Sequence, residues 1–137
     1  MERVLIAVGI AVAVAVLAWV LERRRPQAPT QRRWAVPAQL DRADFDRSGA
    51  PWLVAVFSSE TCDSCRAAVE RARLLASADV AVQEIEVAVR GDLHRRYNVE
   101  AVPTLVVADR QGVVRASFVG PPPADELETA LAEVLGT

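Results

Sequence analysis

The sequence predicts a mixed α/β domain, a central sheet with helices on both faces, preceded by one N-terminal transmembrane helix. Three observations predict it. From Val4 to Leu21, 17 of 18 residues are apolar and none is charged. Beyond residue 38, short apolar runs of strand length alternate with stretches whose apolar residues repeat at three and four. The last two strand-like runs are joined by Asp109-Arg-Gln-Gly112, a hairpin signal, whereas helices separate the earlier ones.

The apolar block comes first. Eighteen such residues at about 1.5 Å each give roughly 27 Å, close to the ~30 Å hydrocarbon core. Trp19 would sit at the interface, where amphipathic rings are favoured. A cleaved signal peptide and a buried core helix are the alternatives. The first is weakened by Leu21-Glu-Arg-Arg-Arg25, which stands where a small-residue cleavage site belongs. Residues 1–22 are therefore predicted as an uncleaved anchor, in contact with lipid through residues 4–21. Residues 23–37 read as a basic linker interrupted by Pro26, Pro29 and Pro37. Residues 38–137 read as the folded domain. Residues 22–33 carry five Arg against one Glu. The positive-inside rule then places the domain on the cytoplasmic face of a bacterial-type plasma membrane, as a single-pass protein. A signal anchor that exports the domain is the competing reading.

Composition removes several function classes. At 137 residues and 52% hydrophobic, the chain fits one folded domain and not a disordered one. Residues 34–137 carry ten Arg against sixteen acids, which argues against a nucleic-acid partner. The absence of lysine excludes Schiff-base and P-loop lysine chemistry. The two cysteines, Cys62 and Cys65, are too few for a disulfide-stapled scaffold. With the single His94 they also fall short of the roughly four ligands of a closed zinc site, so no metal is expected. The pair is either redox-active or incidental. Nothing here fixes an oligomeric state.

The elements follow in order. Asp41–Arg47 is a short helix, and an additional edge strand is expected near Ala35–Leu40. Trp52–Phe57 is a continuous apolar run of the length of a buried central strand. Cys62–Ser77 is a helix whose stripe is Cys65, Ala68, Val69, Ala72, Leu75 and Ala76. Val80–Val87 is a strand and Asp92–Tyr97 a short helix. Thr104–Ala108 and Val113–Val119 form the hairpin. Ala124–Leu135 is a helix: prolines precede it, acids fill its first turn, Gly136 ends it, and Leu127, Ala130, Leu131, Val134 and Leu135 line one face.

Cys62 follows a strand and loop and opens a helix. Unpaired amides and the positive end of the dipole stabilise a thiolate there. Three residues on, Cys65 lies one turn along, within reach for a disulfide. On this reading Cys62 is the exposed nucleophile and Cys65 the buried residue that resolves the mixed disulfide. Small core hydrophobes are the bland alternative; it suits Cys65 but not Cys62, which precedes the apolar stripe.

Three segments carry a family likeness: Trp52-Leu-Val-Ala-Val-Phe-Ser-Ser-Glu-Thr-Cys-Asp-Ser-Cys65, Tyr97-Asn-Val-Glu-Ala-Val-Pro-Thr-Leu-Val-Val107, and Asp109-Arg-Gln-Gly-Val-Val-Arg leading to Phe118-Val-Gly120. On these, residues 38–137 resemble the thioredoxin superfamily. The resemblance implies the thioredoxin fold and a redox-active Cys62–Cys65 disulfide with no bound cofactor. It implies a cis peptide before Pro103, in a Val102-Pro103-Thr104 loop facing the cysteines, with the Val102 backbone pairing to an extended substrate. Thr61, Asp63 and Ser64, with Val102, Pro103 and Thr104, are the implied substrate contacts.

Departures from the family pattern shape the expectation. Thr61 replaces the usual Trp before the first cysteine. Asp63 and Glu60 put negative charge beside Cys62 and oppose its ionisation, with Arg66 as partial offset. A less stabilised thiolate makes a better reductant, so a low-potential pair is predicted. Asp63 capping the helix and pointing to water is the competing reading. The acid usually found six residues before the first cysteine is Val56 here, and the position of its usual Lys partner is Glu84. Glu84 is therefore a candidate general base for Cys65, provided it is desolvated beside the Trp52–Phe57 strand; a solvent-facing Glu84 is the alternative. His94 is expected on a helix surface.

Together these predict a membrane-anchored thiol–disulfide oxidoreductase that reduces protein disulfides and is recharged by a reductase or a membrane electron donor. An exported reductase serving haem-protein or envelope-protein maturation is one alternative. A partner-binding module with vestigial cysteines is another.

Overall fold

The computed structural model describes residues 34–123 and 125–136, and ahead of them residues 1, 6 and 12–17. Residues 12–17 are helical. The remainder of the anchor and the linker to residue 33 lie outside the described residues. Among the described residues no helix is long and apolar enough to cross a membrane. The chain divides into two compact units, Met1–Arg33 and Trp34–Thr137.

The second unit carries a four-stranded sheet in the order β2-β1-β3-β4. Its strands are β1 (Trp52–Ser58), β2 (Val80–Glu86), β3 (Thr104–Ala108) and β4 (Val114–Val119), with helices α1 (Asp63–Arg73), α2 (Val87–Arg96) and α3 (Glu126–Leu135). β1 pairs parallel with β2 and antiparallel with β3, and β3 pairs antiparallel with β4. β1 is hydrogen-bonded on both edges and covered on both faces, which is why it is apolar at six successive positions. β4 is an edge strand and alternates half-buried with exposed residues.

Two cores follow from the pleat. Leu53, Ala55 and Phe57 point to one face with Ala81, Ile85, Val106, Leu40, Phe45 and Leu93. Val54 and Val56 point to the other, where Ala68, Val69 and Ala72 of α1 and Leu127 and Leu131 of α3 cover them. So α1 and α3 lie on one face and α2 on the other. Burying the Val, Leu, Ile and Phe side chains among them contributes about 1.5–3 kcal/mol each.

Several expectations need correction. The edge strand near Ala35–Leu40 is a single bridge, Gln39 to Val113. The 41–47 helix is one 3-10 turn, Arg42–Asp44, capped by the Asp41 side chain. Arg42 is buried there because its guanidinium donates to the Asp109 and Ala50 carbonyls at 2.8 and 3.0 Å. α1 ends at Arg73, leaving Ala76 exposed beyond it, and α3 leaves Leu135 48% exposed. α2 starts five residues before Asp92, because the Glu86 side chain caps it; non-helical backbone at Arg90, beside Gly91, kinks it. His94 is buried and not on the surface. Its Nε2 lies 2.8 Å from the Ile85 carbonyl, an acceptor, so Nε2 carries the proton, and the ring stands edge-on to Phe57.

Candidate active site

β1 delivers the chain to a turn, Ser59-Glu60-Thr61-Cys62, closed by the Cys62 N–H donating to the Ser59 carbonyl at 3.1 Å. Cys62 is the N-cap of α1, with extended backbone and no side-chain cap bond, and its carbonyl accepts the Cys65 N–H at 3.2 Å. The first amides of α1 are therefore left uncapped around the sulfur-bearing residue. Asp63, the first helical residue, is exposed and does not cap the helix. Cys65 sits on the buried stripe of α1 and is 2% exposed, whereas Cys62 is half-buried. The two are disulfide-bonded with Cα atoms 5.3 Å apart. Ser64 Oγ lies 3.5 Å from Cys62 Sγ.

Because β3 runs antiparallel to β1 with Thr104 opposite Phe57, the Val102–Pro103 loop and the Cys62 turn lie at the same end of the sheet. The Val102–Pro103 peptide is cis. Pro103 is buried and its carbonyl accepts the Gly120 N–H at 2.8 Å. The Thr104 side chain turns inward: the residue is 2% exposed and its hydroxyl donates to the Ala101 carbonyl. Val102, half-buried, is what this loop presents, together with exposed Thr61, Asp63 and Ser64 of the cysteine turn and helix start.

Beside the disulfide lies a cavity of about 320 Å³ bordered by Cys62 and Cys65. Its wall carries five carboxylates, Glu60, Asp63, Glu70, Glu84 and Glu86, against two guanidinium groups, Arg66 and Arg73. The Val102–Pro103 loop is not part of that wall. Glu84 reaches this cavity as its β2 position requires, but it is not desolvated. Its side chain is 34% exposed, Ser58 Oγ donates to Oε1 at 2.8 Å, and Arg73 pairs with Oε2 at 3.2 Å. Arg73 lies two turns beyond Cys65 on α1 and is close enough to claim the carboxylate. His94 lies across the sheet, against Phe57, and takes no part.

The residue that sequence reasoning missed is Glu86. Its Oε1 accepts the Glu60 N–H at 3.2 Å, and its Oε2 accepts the Ala88 and Val89 N–H groups at 2.8 and 3.1 Å. Glutamate is an uncommon cap, and Val87-Ala-Val89 prolongs the strand pattern, so only the fold reveals it.

A model of the thioredoxin-like domain family matches residues 36–135. The chain belongs to the thioredoxin superfamily. A mutant thioredoxin from Halobacterium salinarum is 28% identical with a TM-score of 0.55, over 63% of this chain and 76% of that one. The germline-specific thioredoxin Deadhead from Drosophila melanogaster is 27% identical with a TM-score of 0.56, over 64% and 84%. Mitochondrial thioredoxin 3 from Saccharomyces cerevisiae, in its oxidised form, shares the fold at 23% identity and a TM-score of 0.53, over 63% and 81%. No curated protein matches the chain. In thioredoxins the cysteine disulfide is itself the redox group and no bound cofactor is needed; here that group is Cys62–Cys65. Among the described residues no cluster of three or more His, Cys, Asp or Glu is arranged to hold a metal ion. A thioredoxin-like domain with this pair has the equipment of a thiol–disulfide oxidoreductase.

Proposed function

We propose that the protein reduces protein disulfides by dithiol–disulfide exchange from a membrane anchor. One observation carries the reading: an accessible Cys62 occupies the N-cap position of α1 while its disulfide partner Cys65 is buried beneath it. In the reduced protein the Cys62 thiolate attacks a substrate disulfide. A Cys62–substrate disulfide forms and one substrate sulfur leaves as a thiolate, which takes a proton from water. Cys65 then gives up its proton, and Glu84, which borders the same cavity as an ion-paired and not a desolvated carboxylate, is the acceptor through water. The Cys65 thiolate attacks Cys62 Sγ. The Cys62–Cys65 disulfide re-forms and the second substrate thiolate leaves, so two electrons pass to the substrate. A dithiol reductase or a membrane electron donor restores the starting pair.

The acids around Cys62 support the reducing direction, because negative charge disfavours the thiolate and hence the reduced form. Substrate contacts are assigned to Thr61, Asp63, Ser64 and the Val102 backbone, since the Pro103 carbonyl is already bonded to the Gly120 N–H. The anchor rests on the uncharged run 4–21, and the cytoplasmic face on the arginines after it. Insulin reduction with Cys62→Ser as control tests the activity: loss in the variant supports it, and no activity in the native protein overturns it. Alkylation of Cys62 by a membrane-impermeant maleimide in intact cells, after treatment with a membrane-impermeant phosphine that opens the disulfide, tests the face: protection supports the cytoplasmic assignment, and labelling moves the domain outside.

A further inference from the structure

We propose that Glu86 is a positioning residue for Cys62, holding the cysteine turn by one oxygen and keeping the couple reducing by its charge. The inference rests on the redox reading above and deepens it. Glu86 ends β2 and its carboxylate reaches two ways. Oε2 takes two of the free amides at the start of α2, and Oε1 takes the Glu60 N–H from a segment 26 residues away in sequence. Glu60 is the second residue of the turn whose last residue is Cys62. The staple therefore fixes the segment that presents the reactive sulfur against α2 as well as α1. Three N–H donors hold the carboxylate in place, so its charge cannot swing into solvent. That charge borders the cavity shared by Cys62 and Cys65. A fixed anion there disfavours the Cys62 thiolate, and with it the dithiol form.

The turn also offers a separate handle. Proline is favoured at the second position of common turns, and it lacks the N–H that Glu86 accepts. Glu60→Pro therefore cuts the staple while leaving the α2 cap and the Glu86 charge in place, and Glu60→Gln matches it in charge.

The experiment measures three quantities on the full chain in detergent: the pH midpoint for iodoacetamide alkylation of reduced Cys62, the equilibrium with dithiothreitol, and the rate of reaction with an aromatic disulfide reagent. Glu86→Gln should move the midpoint to lower pH and shift the equilibrium about 3- to 10-fold toward the protein dithiol. Glu86→Asp, which keeps the charge, should hold the native midpoint. Glu60→Pro should react several-fold more slowly than Glu60→Gln. A purely structural Glu86 would lower the melting temperature without moving the midpoint or the equilibrium. Native values for both in Glu86→Gln overturn the charge role, and equal rates for Glu60→Pro and Glu60→Gln overturn the staple. If Glu86→Gln does not fold, Glu86→Ser, which keeps a capping oxygen and removes the charge, decides the charge role, and the Glu60 pair decides the staple. Failure of the native protein to reduce insulin, with these shifts present, overturns the reductase reading alone.

Discussion

Glu84 stands directly opposite Val56 across the parallel β1–β2 pair, on the sheet face that α1 covers. Val56 fills the central-strand position where the thioredoxin resemblance implies an acid, and Glu84, on the neighbouring strand, borders the same cavity as Cys65. Its lone pairs are engaged by Ser58 and Arg73 rather than left in an apolar shell. Breaking the Arg73 pair alone costs little, because partly exposed ion pairs contribute about 0–1 kcal/mol.

Replacing Glu84 by Gln should therefore leave stability nearly unchanged and slow resolution of the mixed disulfide. General-base contributions run to about 10²–10⁴-fold, and an ion-paired, partly exposed carboxylate belongs at the lower end, about 10². Rapid-quench mass spectrometry of the Cys62–substrate adduct reads the step. An unchanged decay rate removes Glu84 from the mechanism.

Cys65→Ser should convert turnover into capture. Cys62 still attacks, but no second sulfur releases the adduct. Non-reducing electrophoresis of the variant should show disulfide-linked complexes that dithiothreitol dissolves, and Cys62→Ser should show none. Equal adducts from both variants would mean that Cys65 attacks as readily as Cys62 and would overturn their separate roles.

Gly112 should tolerate no side chain. Its φ is +81°, and a Cβ would lie 1.9 Å from the Leu40 carbonyl oxygen. Its own carbonyl accepts the Leu40 N–H at 2.8 Å, so the two segments have no freedom to separate. Left-handed strain alone costs about 1–3 kcal/mol, and the clash adds to it. Gly112→Ala should lose at least about 3 kcal/mol in urea unfolding, with the CxxC chemistry intact in the molecules that remain folded. A loss below about 1 kcal/mol would contradict this contact.

Tyr97 should make the fold alkali-sensitive. Burial, and then its hydrogen bond to Asp44, push its phenol up to about 12 from 10.0. The folded state prefers the neutral ring. The stabilisation is therefore complete below pH 10 and declines as pH rises from 10 toward 12. Tyr97 is only half-buried, so the loss is discounted to about 1 kcal/mol. Urea midpoints of the oxidised protein at pH 9 and 11 should show it, and Tyr97→Phe should flatten the difference. A slope identical in the variant would assign the effect to other groups.

The uninterrupted apolar run Trp52–Phe57, the three-and-four stripe of α1 and the Asp109–Gly112 turn determine a mixed sheet clothed on both faces, because burial on one side or two leaves its period in the chain. The Cys62–Cys65 spacing after a strand likewise locates the redox pair. Tertiary structure decided the rest. Whether Glu84 is dry or ion-paired depends on Arg73, which α1 brings alongside β2. Whether His94 is exposed depends on a carbonyl of β2 that accepts a hydrogen bond from its Nε2. Glu86 becomes a staple only because folding brings Glu60 within 3.2 Å of its carboxylate. Periodicity records which face of an element is buried, since that depends on each residue's own hydropathy. The partner of a polar side chain is set by chain segments far away in sequence, and no local pattern encodes it.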